Sequence, residues 1–288
     1  MDKRYILVID VGNTNMTFGV YEKDELKASF RIMTKVARTS DEYGIEIRTM
    51  LRVNHIDCRE IGGSVVSSVV PNVMHALMAC LYKYLGLTPY VVGPGIKTGI
   101  KICMENPKEV GPDLIVDAVA AFEKYGGPIM IIDFGSATTY EIVNENGEFF
   151  TGIISPGISM CAKALWQDTA KLPEVEIVKP KTILGRETIT SMQAGLVYGQ
   201  IGQTKYIINK MREESGLYDM KVVATGGLGK MISEEVEEID YYEKNLTLDG
   251  LRIIFEKNEA FKQRKLREQQ EVMAQRAMQK EEFGEGDI

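Results

Sequence analysis

Tyr5-Ile-Leu-Val-Ile-Asp10-Val-Gly12-Asn13-Thr14-Asn15 decides how this chain folds, because the chain repeats the phrase as Ile129-Met-Ile-Ile-Asp133-Phe-Gly135-Ser136-Ala-Thr138-Thr139. The two aspartates, Asp10 and Asp133, stand 123 residues apart. In each copy an unbroken apolar run ends on Asp-x-Gly, and such a run reads as a strand buried on both faces. A second strand follows at once, over 16–21 in one copy and 139–143 in the other. Polar turns at Glu22-Lys23-Asp24-Glu25 and Asn144-Glu145-Asn146-Gly147 lead into third strands over 26–32 and 148–154. This order predicts a three-stranded meander at the head of each half.

The parallel continues downstream. Ile61-Gly-Gly-Ser64-Val-Val-Ser67-Ser68 opens a helical stretch over 73–85, and Met220-Lys-Val-Val-Ala-Thr225-Gly226-Gly227-Leu228 opens another over 230–238. Helical patterns fill 40–53, 112–125, 158–165 and 191–214. Strands and helices in two matching halves predict an α/β protein of two similar domains, each a mixed sheet flanked by helices. The expected division is 1–120, 121–255 and a charged tail over 256–288, helical or disordered. The cleft between the halves is the expected site.

Composition narrows the chemistry. Of 288 residues, 44% are hydrophobic and 26% charged, enough apolar material for a core. No apolar run approaches the ~20 residues of a membrane span. Met1-Asp2-Lys3-Arg4 runs straight into a strand pattern, so no signal peptide is expected. A net charge of −7 argues against nucleic acid as a partner. Four scattered cysteines without a CxxC pair suit a reducing cytoplasm. With only two histidines, zinc sites and Ser-His-Asp triads recede. Chemistry here rests on carboxylates, hydroxyls, backbone amides and bound ions.

A buried strand that ends in Asp, Gly and small polar residues makes a narrow turn open to phosphate. Gly12 and Gly135 allow close backbone approach. Asn13, Thr14 and Asn15 on one turn, and Ser136, Thr138 and Thr139 on the other, offer donors to phosphate oxygens. Asp10 and Asp133 can hold a metal directly or through water. Neither a GxxxxGK[ST] loop nor a GxGxxG fingerprint is present. Thr225-Gly226-Gly227-Leu228 reads as a place for a flat base or ribose. Asp113 by itself reads as a helix N-cap. Asp117, one turn further, reads as a metal or surface residue.

Several further motifs complete a pattern: Ser67-Ser-Val-Val-Pro71, Asn106-Pro-Lys-Glu-Val-Gly-Pro-Asp113, Ile154-Ser-Pro-Gly157 and Ser191-Met-Gln-Ala-Gly195. Taken with both Asp-Gly turns and Thr225-Gly-Gly-Leu228, the chain resembles the type III pantothenate kinases, or Bvg accessory factor homologues. These belong to the actin, hexokinase and heat-shock ATPase superfamily, and the resemblance runs from about Tyr5 to Phe255. It implies two ribonuclease H-like domains and transfer of phosphate from ATP to pantothenate, the first step of coenzyme A biosynthesis. It also implies ATP contacts from Asp10, Gly12, Asn13, Thr14, Asn15, Thr17, Gly135, Ser136, Thr138, Gly226 and Gly227. Asp133 would hold potassium or ammonium, Asp10 magnesium through water, and Asp113 would be the catalytic base. Gly111, Pro112, Asp113, Leu114, Met104 and Thr188 would meet pantothenate, Thr188 from the partner subunit of a homodimer.

The chain departs from the family on the substrate side. Gly-x-Asp-Arg becomes Gly111-Pro112-Asp113-Leu114, and leucine cannot pair with a carboxylate as arginine does. Losing a charged hydrogen bond costs about 1.5–3 kcal/mol, or one to two orders of magnitude in affinity. Met104 stands where the family commonly has Tyr, and Glu174 where it often has Arg. Lys101 and Lys108 are candidate replacements for the lost cation. The departures open two alternatives, a kinase for another small hydroxyl compound and a non-catalytic nucleotide-binding regulator.

Overall fold

The computed structural model describes residues 4–284, with side chains to Met273. The expected absence of a leader at Met1–Lys3 and the last four residues of the tail, 285–288, fall outside the described residues.

The first half runs β1 (Tyr5–Val11), β2 (Asn15–Glu22), β3 (Glu25–Met33), α1 (Ser40–Val53), β4 (Ile61–Ser68), α2 (Pro71–Leu85) and β5 (Tyr90–Val91). Its sheet has the order β3-β2-β1-β4-β5, antiparallel through the meander and parallel beyond β1. The chain then forms β6 (Lys101–Ile102), α3 (Pro112–Tyr125), β7 (Ile129–Phe134), β8 (Ala137–Val143), β9 (Glu148–Pro156), α4 (Ile158–Gln167), α5 (Thr188–Ser215), β10 (Lys221–Thr225), α6 (Gly229–Ser233), β11 (Tyr241–Tyr242) and α7 (Leu246–Gly284). The second sheet has the order β11-β10-β7-β8-β9-β6. Read from β9 to β11 it repeats the first sheet strand for strand, and β6 adds an outer edge. Both meanders therefore follow the sequence reading, and the two Asp-Gly turns leave equivalent central strands.

Local signals set the element ends. Thr39 and Glu42 form a reciprocal capping box at the start of α1. Proline opens α2 and α3, where its missing N–H costs nothing. Gly86 and Gly216 close α2 and α5 in the left-handed conformation. The sequence pattern gave no helix over 246–255, yet α7 begins at Leu246 and buries Leu246, Leu248, Leu251, Ile254 and Asn258. Expected helix 230–238 shortens to α6, because the chain turns there to lay β11 beside β10.

Helices α1 and α2 cover one face of the first sheet over Leu7, Ile9, Phe18 and Val66. Helices α4 and α5 cover the outer face of the second over Met130, Ile132 and Ile142. Helix α3 contacts strands of both sheets, and α7 lies along α3 against β1 and β4. Gly250 is what lets α7 approach α3 so closely. A Cβ there would stand 2.2 Å from the Val116 carbonyl oxygen, which belongs to backbone and cannot swing aside. Among the described residues, no helix is long and apolar enough to cross a membrane. Gly250→Ala is expected to cost about 1–3 kcal/mol, as overpacking of a close contact does; urea unfolding followed by circular dichroism measures it.

Candidate active site

The end of β1 places Asp10 at the floor of the space between the halves. The following turn is held by its own backbone. Gly12 N–H donates to Asn15 O at 3.1 Å, and Thr34 N–H donates to Thr14 O at 3.0 Å. The Thr34 hydroxyl donates to Gly12 O at 2.8 Å, which ties the turn to β3. Asn13 and Thr14 are left exposed. Thr17 stands opposite Asp10 in the strand register.

The second turn is built alike, from β7 into β8. Asp133 sits in a glycine box. A Cβ on Gly226 would lie 2.6 Å from Asp133 Oδ1, and one on Gly135 would lie 2.9 Å from Oδ2. Gly226 has φ +93°, a conformation that favours glycine. Gly227 beside it faces open space, as a surface for a flat ring requires. Ser136 is exposed, whereas the Thr138 side chain is buried and Thr138 O accepts from the Ser155 hydroxyl at 3.3 Å. The two turns meet across the cleft, with Thr14 Oγ1 and Ser136 Oγ 3.3 Å apart.

Helix α3 delivers Asp113. The cap of this helix is Gly111, so Asp113 lies within the first turn rather than at the cap. Asp113 Oδ1 accepts the Leu114 N–H at 3.0 Å. Burial, and then the charges of Asp113 and Asp133, push Asp10 up to about 7. Burial, and then Asp113, push Asp133 up to about 7 as well. Burial also raises Asp113, against the pull of the Leu114 and Asp113 amides.

Two further carboxylates lie deeper. Asp117 is 3% exposed and Glu141 is 2% exposed, so Asp117 is not a surface residue. Burial, then Asp133, drive Asp117 well above its ordinary range. Burial does the same to Glu141, with smaller additions from Asp133 and Asp113. Asp117 Oδ1, Thr139 Oγ1 and Glu141 Oε1 are buried without a hydrogen-bond partner. Asp117 was findable as the residue one turn beyond Asp113 on the apolar face of α3. Glu141 was hidden inside a strand pattern.

This donor set suits hard cations, since it offers oxygen ligands and much unbalanced negative charge. Among the described residues, no three His, Cys, Asp or Glu side chains converge closely enough to cage a metal. A magnesium ion held through one or two carboxylates would complete its shell with phosphate and water.

On the substrate side, Leu114 and Met104 pack against one apolar cluster that includes Ala118, Ala121 and Phe149. Lys101 is spoken for, with Nζ 2.7 Å from Glu148. Lys108 and Glu174 are exposed. Thr188 stands apart, in a separate cavity of about 1030 Å³ lined also by Cys161, Asp168, Arg186 and Ser191. None of the cleft carboxylates lines that cavity.

Two like α/β halves whose Asp-Gly turns face each other across a carboxylate-floored cleft define a protein of the actin-like ATPase fold. Solved structures agree on the fold. A Campylobacter jejuni protein described as a Baf family transcriptional activator superposes with TM-score 0.54 at 18% identity, over 88% of this chain and 99% of that one. A Listeria monocytogenes protein described as an N-acetylmannosamine kinase superposes with TM-score 0.52 at 14% identity, over 88% and 99%. The family profile for type III pantothenate kinase matches residues 6–210. The type III pantothenate kinase of Agathobacter rectalis is 59% identical over 252 residues, 88% of this chain and 97% of that one. The chain belongs to the type III pantothenate kinase family.

The raised carboxyls carry a pH signature. Asp10 and Asp133 sit near 7 in the fold against 3.8 ordinarily, so between those values the folded state holds more protons than the unfolded chain. Their contribution to stability is full below that window and is lost as pH rises through it. Ligand-free protein is expected to lose melting temperature from about pH 4 to 7 on this account. Asp133→Asn should flatten that slope in a thermal scan.

Proposed function

We propose that this chain transfers the γ-phosphoryl group of ATP to the primary hydroxyl of pantothenate, opening coenzyme A biosynthesis. The observation that carries the reading is the convergence of Asp113 with Asp10 and Asp133 beneath two phosphate-ready turns. Family membership, with a close relative named for this activity, supports pantothenate over another hydroxyl acceptor and over a silent regulator.

Phosphoryl transfer asks chiefly for positioning and charge stabilisation. The exposed donors of Asn13, Thr14 and Ser136 would orient the phosphates from both sides. The Gly226-Gly227 surface would take the nucleoside. Asp113 would accept the proton of the attacking hydroxyl, and its upward shift moves it toward the working pH of a general base. Asp10, through water, would hold magnesium, and Asp133 would hold potassium or ammonium; these cations, when bound, neutralise phosphate charge. Carboxylate and hydroxyl oxygens of this kind are the donors that hard cations take, with phosphate and water completing the shell. Leu114 and Met104 would line an apolar side of the acceptor pocket, leaving the pantothenate carboxylate to another donor. The absence of a cysteine pairing pattern suits a cytoplasmic enzyme.

Thr188 supports a homodimer. Its cavity is separate from the cleft of its own chain, so contact with substrate requires a neighbouring copy. Exposed Ile183, Leu184 and Ile189 flank it along the chain and supply apolar surface.

Asp113→Asn is expected to lower kcat by about 100- to 10,000-fold while leaving ATP binding within a few-fold. Coupled ADP release, with and without pantothenate, measures the first, and calorimetry the second. Wild-type turnover that ignores pantothenate would sink the reading. Mixing Asp113→Asn with Thr188→Arg should restore turnover that neither variant has alone, because one shared site in the mixed dimer is intact.

A further inference from the structure

A second cavity, of about 560 Å³, opens at the far end of the first sheet. It lies between α1, the short turn Cys58–Glu60 and the last turn of α2. Tyr5 pairs with Ile61 at this end, whereas Asp10 pairs with Ser67 at the cleft. The two sites are therefore separated by most of a strand, roughly 17–20 Å.

Three side chains around this cavity go against local preference, and the nearest relief for Arg48 is the charge of Asp57, which Arg59 already holds. Arg48 and Arg52 lie at i and i+4 on α1, where like charges oppose each other. Among the described residues neither makes an ion pair, because nearby carboxylates are committed elsewhere. Asp41 is held by Lys83 at 2.8 Å, Glu46 by Arg38 at 3.1 Å and Glu60 by Arg4 at 3.2 Å. Asp57, the one carboxylate lining the cavity, takes Arg59 on both oxygens, with Nε at 3.0 Å from each. Arg52 is not needed to cap α1 either. The terminal carbonyls of Met50, Leu51 and Arg52 already accept from Asn54, His55 and Ile56 N–H. His55 itself stands at φ +59°, past the helix end where glycine is the easy choice.

The rest of the lining gives the site a character. The Tyr84 ring packs so tightly over Gly44 that a Cβ there would come within 2.4 Å of it. Ile45, Ile56 and Cys58 add apolar surface, and Thr49 adds a hydroxyl. Two exposed guanidinium forks that no carboxylate holds in an ion pair, next to a ring and an apolar floor, suit a dianion attached to something flat or greasy. Local costs that converge on one cavity mark a functional place rather than a structural one.

We propose that this cavity binds a phosphorylated or pyrophosphorylated small molecule, with Arg48 and Arg52 gripping the phosphate and the body resting on Tyr84 and Ile56. It is a site apart from the cleft, and it stands whether or not pantothenate is the acceptor.

Cys58 reports on its occupancy. Half-buried in the lining, it can be alkylated with iodoacetamide, while exposed Cys103 on the other side of the chain serves as a rate control. The probe is inorganic pyrophosphate against potassium chloride of equal ionic strength, with both sites quantified by peptide mass spectrometry. Pyrophosphate at millimolar concentration is expected to slow Cys58 alkylation by at least about fivefold and leave Cys103 unchanged. In the double variant Arg48→Gln, Arg52→Gln the protection should vanish, while ADP release stays at the wild-type level. Equal Cys58 rates with and without pyrophosphate, or protection that survives the double substitution, overturns the proposal. Both arginines are exposed, so the variant is expected to fold, and its melting temperature checks that.

Discussion

Negative charge gathered out of water is the constraint around which this molecule is arranged. Asp10, Asp113 and Asp133 face one cleft, and Asp117 and Glu141 lie behind them. Among the described residues, no arginine or lysine is near enough to lower any of them. Carboxylates so placed resist ionising together, and their upward shifts express that resistance. In the proposed function, cations drawn to this floor and the neutral donors of the two turns would be the counterweight.

The scaffold makes this crowding tolerable by splitting it between two halves. Asp10 belongs to one central strand and Asp133 to its counterpart. Asp113 and Asp117 ride on α3, which touches both sheets. The carboxylates are thereby fixed by elements from both halves, with Asp113 and Asp117 sharing α3. The backbone contact of Gly250 with Val116 locks α7 onto α3 and makes the pair a common spine. Leu114 and Met104 fit the same logic. Both side chains extend the apolar cluster beneath α3.

Much of this was legible in the sequence. Two Asp-Gly turns at matching places specified two meanders, and the meanders specified two sheets, because a buried apolar strand has few other homes. Asn13, Thr14 and Ser136, candidate phosphate donors by residue type, are exposed. Other features were beyond local patterns. Thr138 sits two positions past an exposed serine, yet it is buried once β8 lies between β7 and β9. Helix α7 buries a stripe that begins where a polar stretch ends, and its charged continuation masks the period. Glu141 lies within a hydrophobic run, and only pairing of β8 with β7 and β9 shows how deep it is. Thr188 could be assigned a role only through resemblance, since nothing in the spacing brings it to the cleft.

The hydroxyls of Thr14 and Ser136 come within hydrogen-bonding distance of each other across the cleft. A phosphate group is larger than that gap. The two halves therefore stand latched at this point, through the hydroxyls proposed to meet phosphate. On that proposal, nucleotide would spend part of its binding free energy in parting them. Its affinity would then depend on the spine as well as on the turns, because stiffening α3 against α7 would resist that opening without altering a residue that meets the ligand.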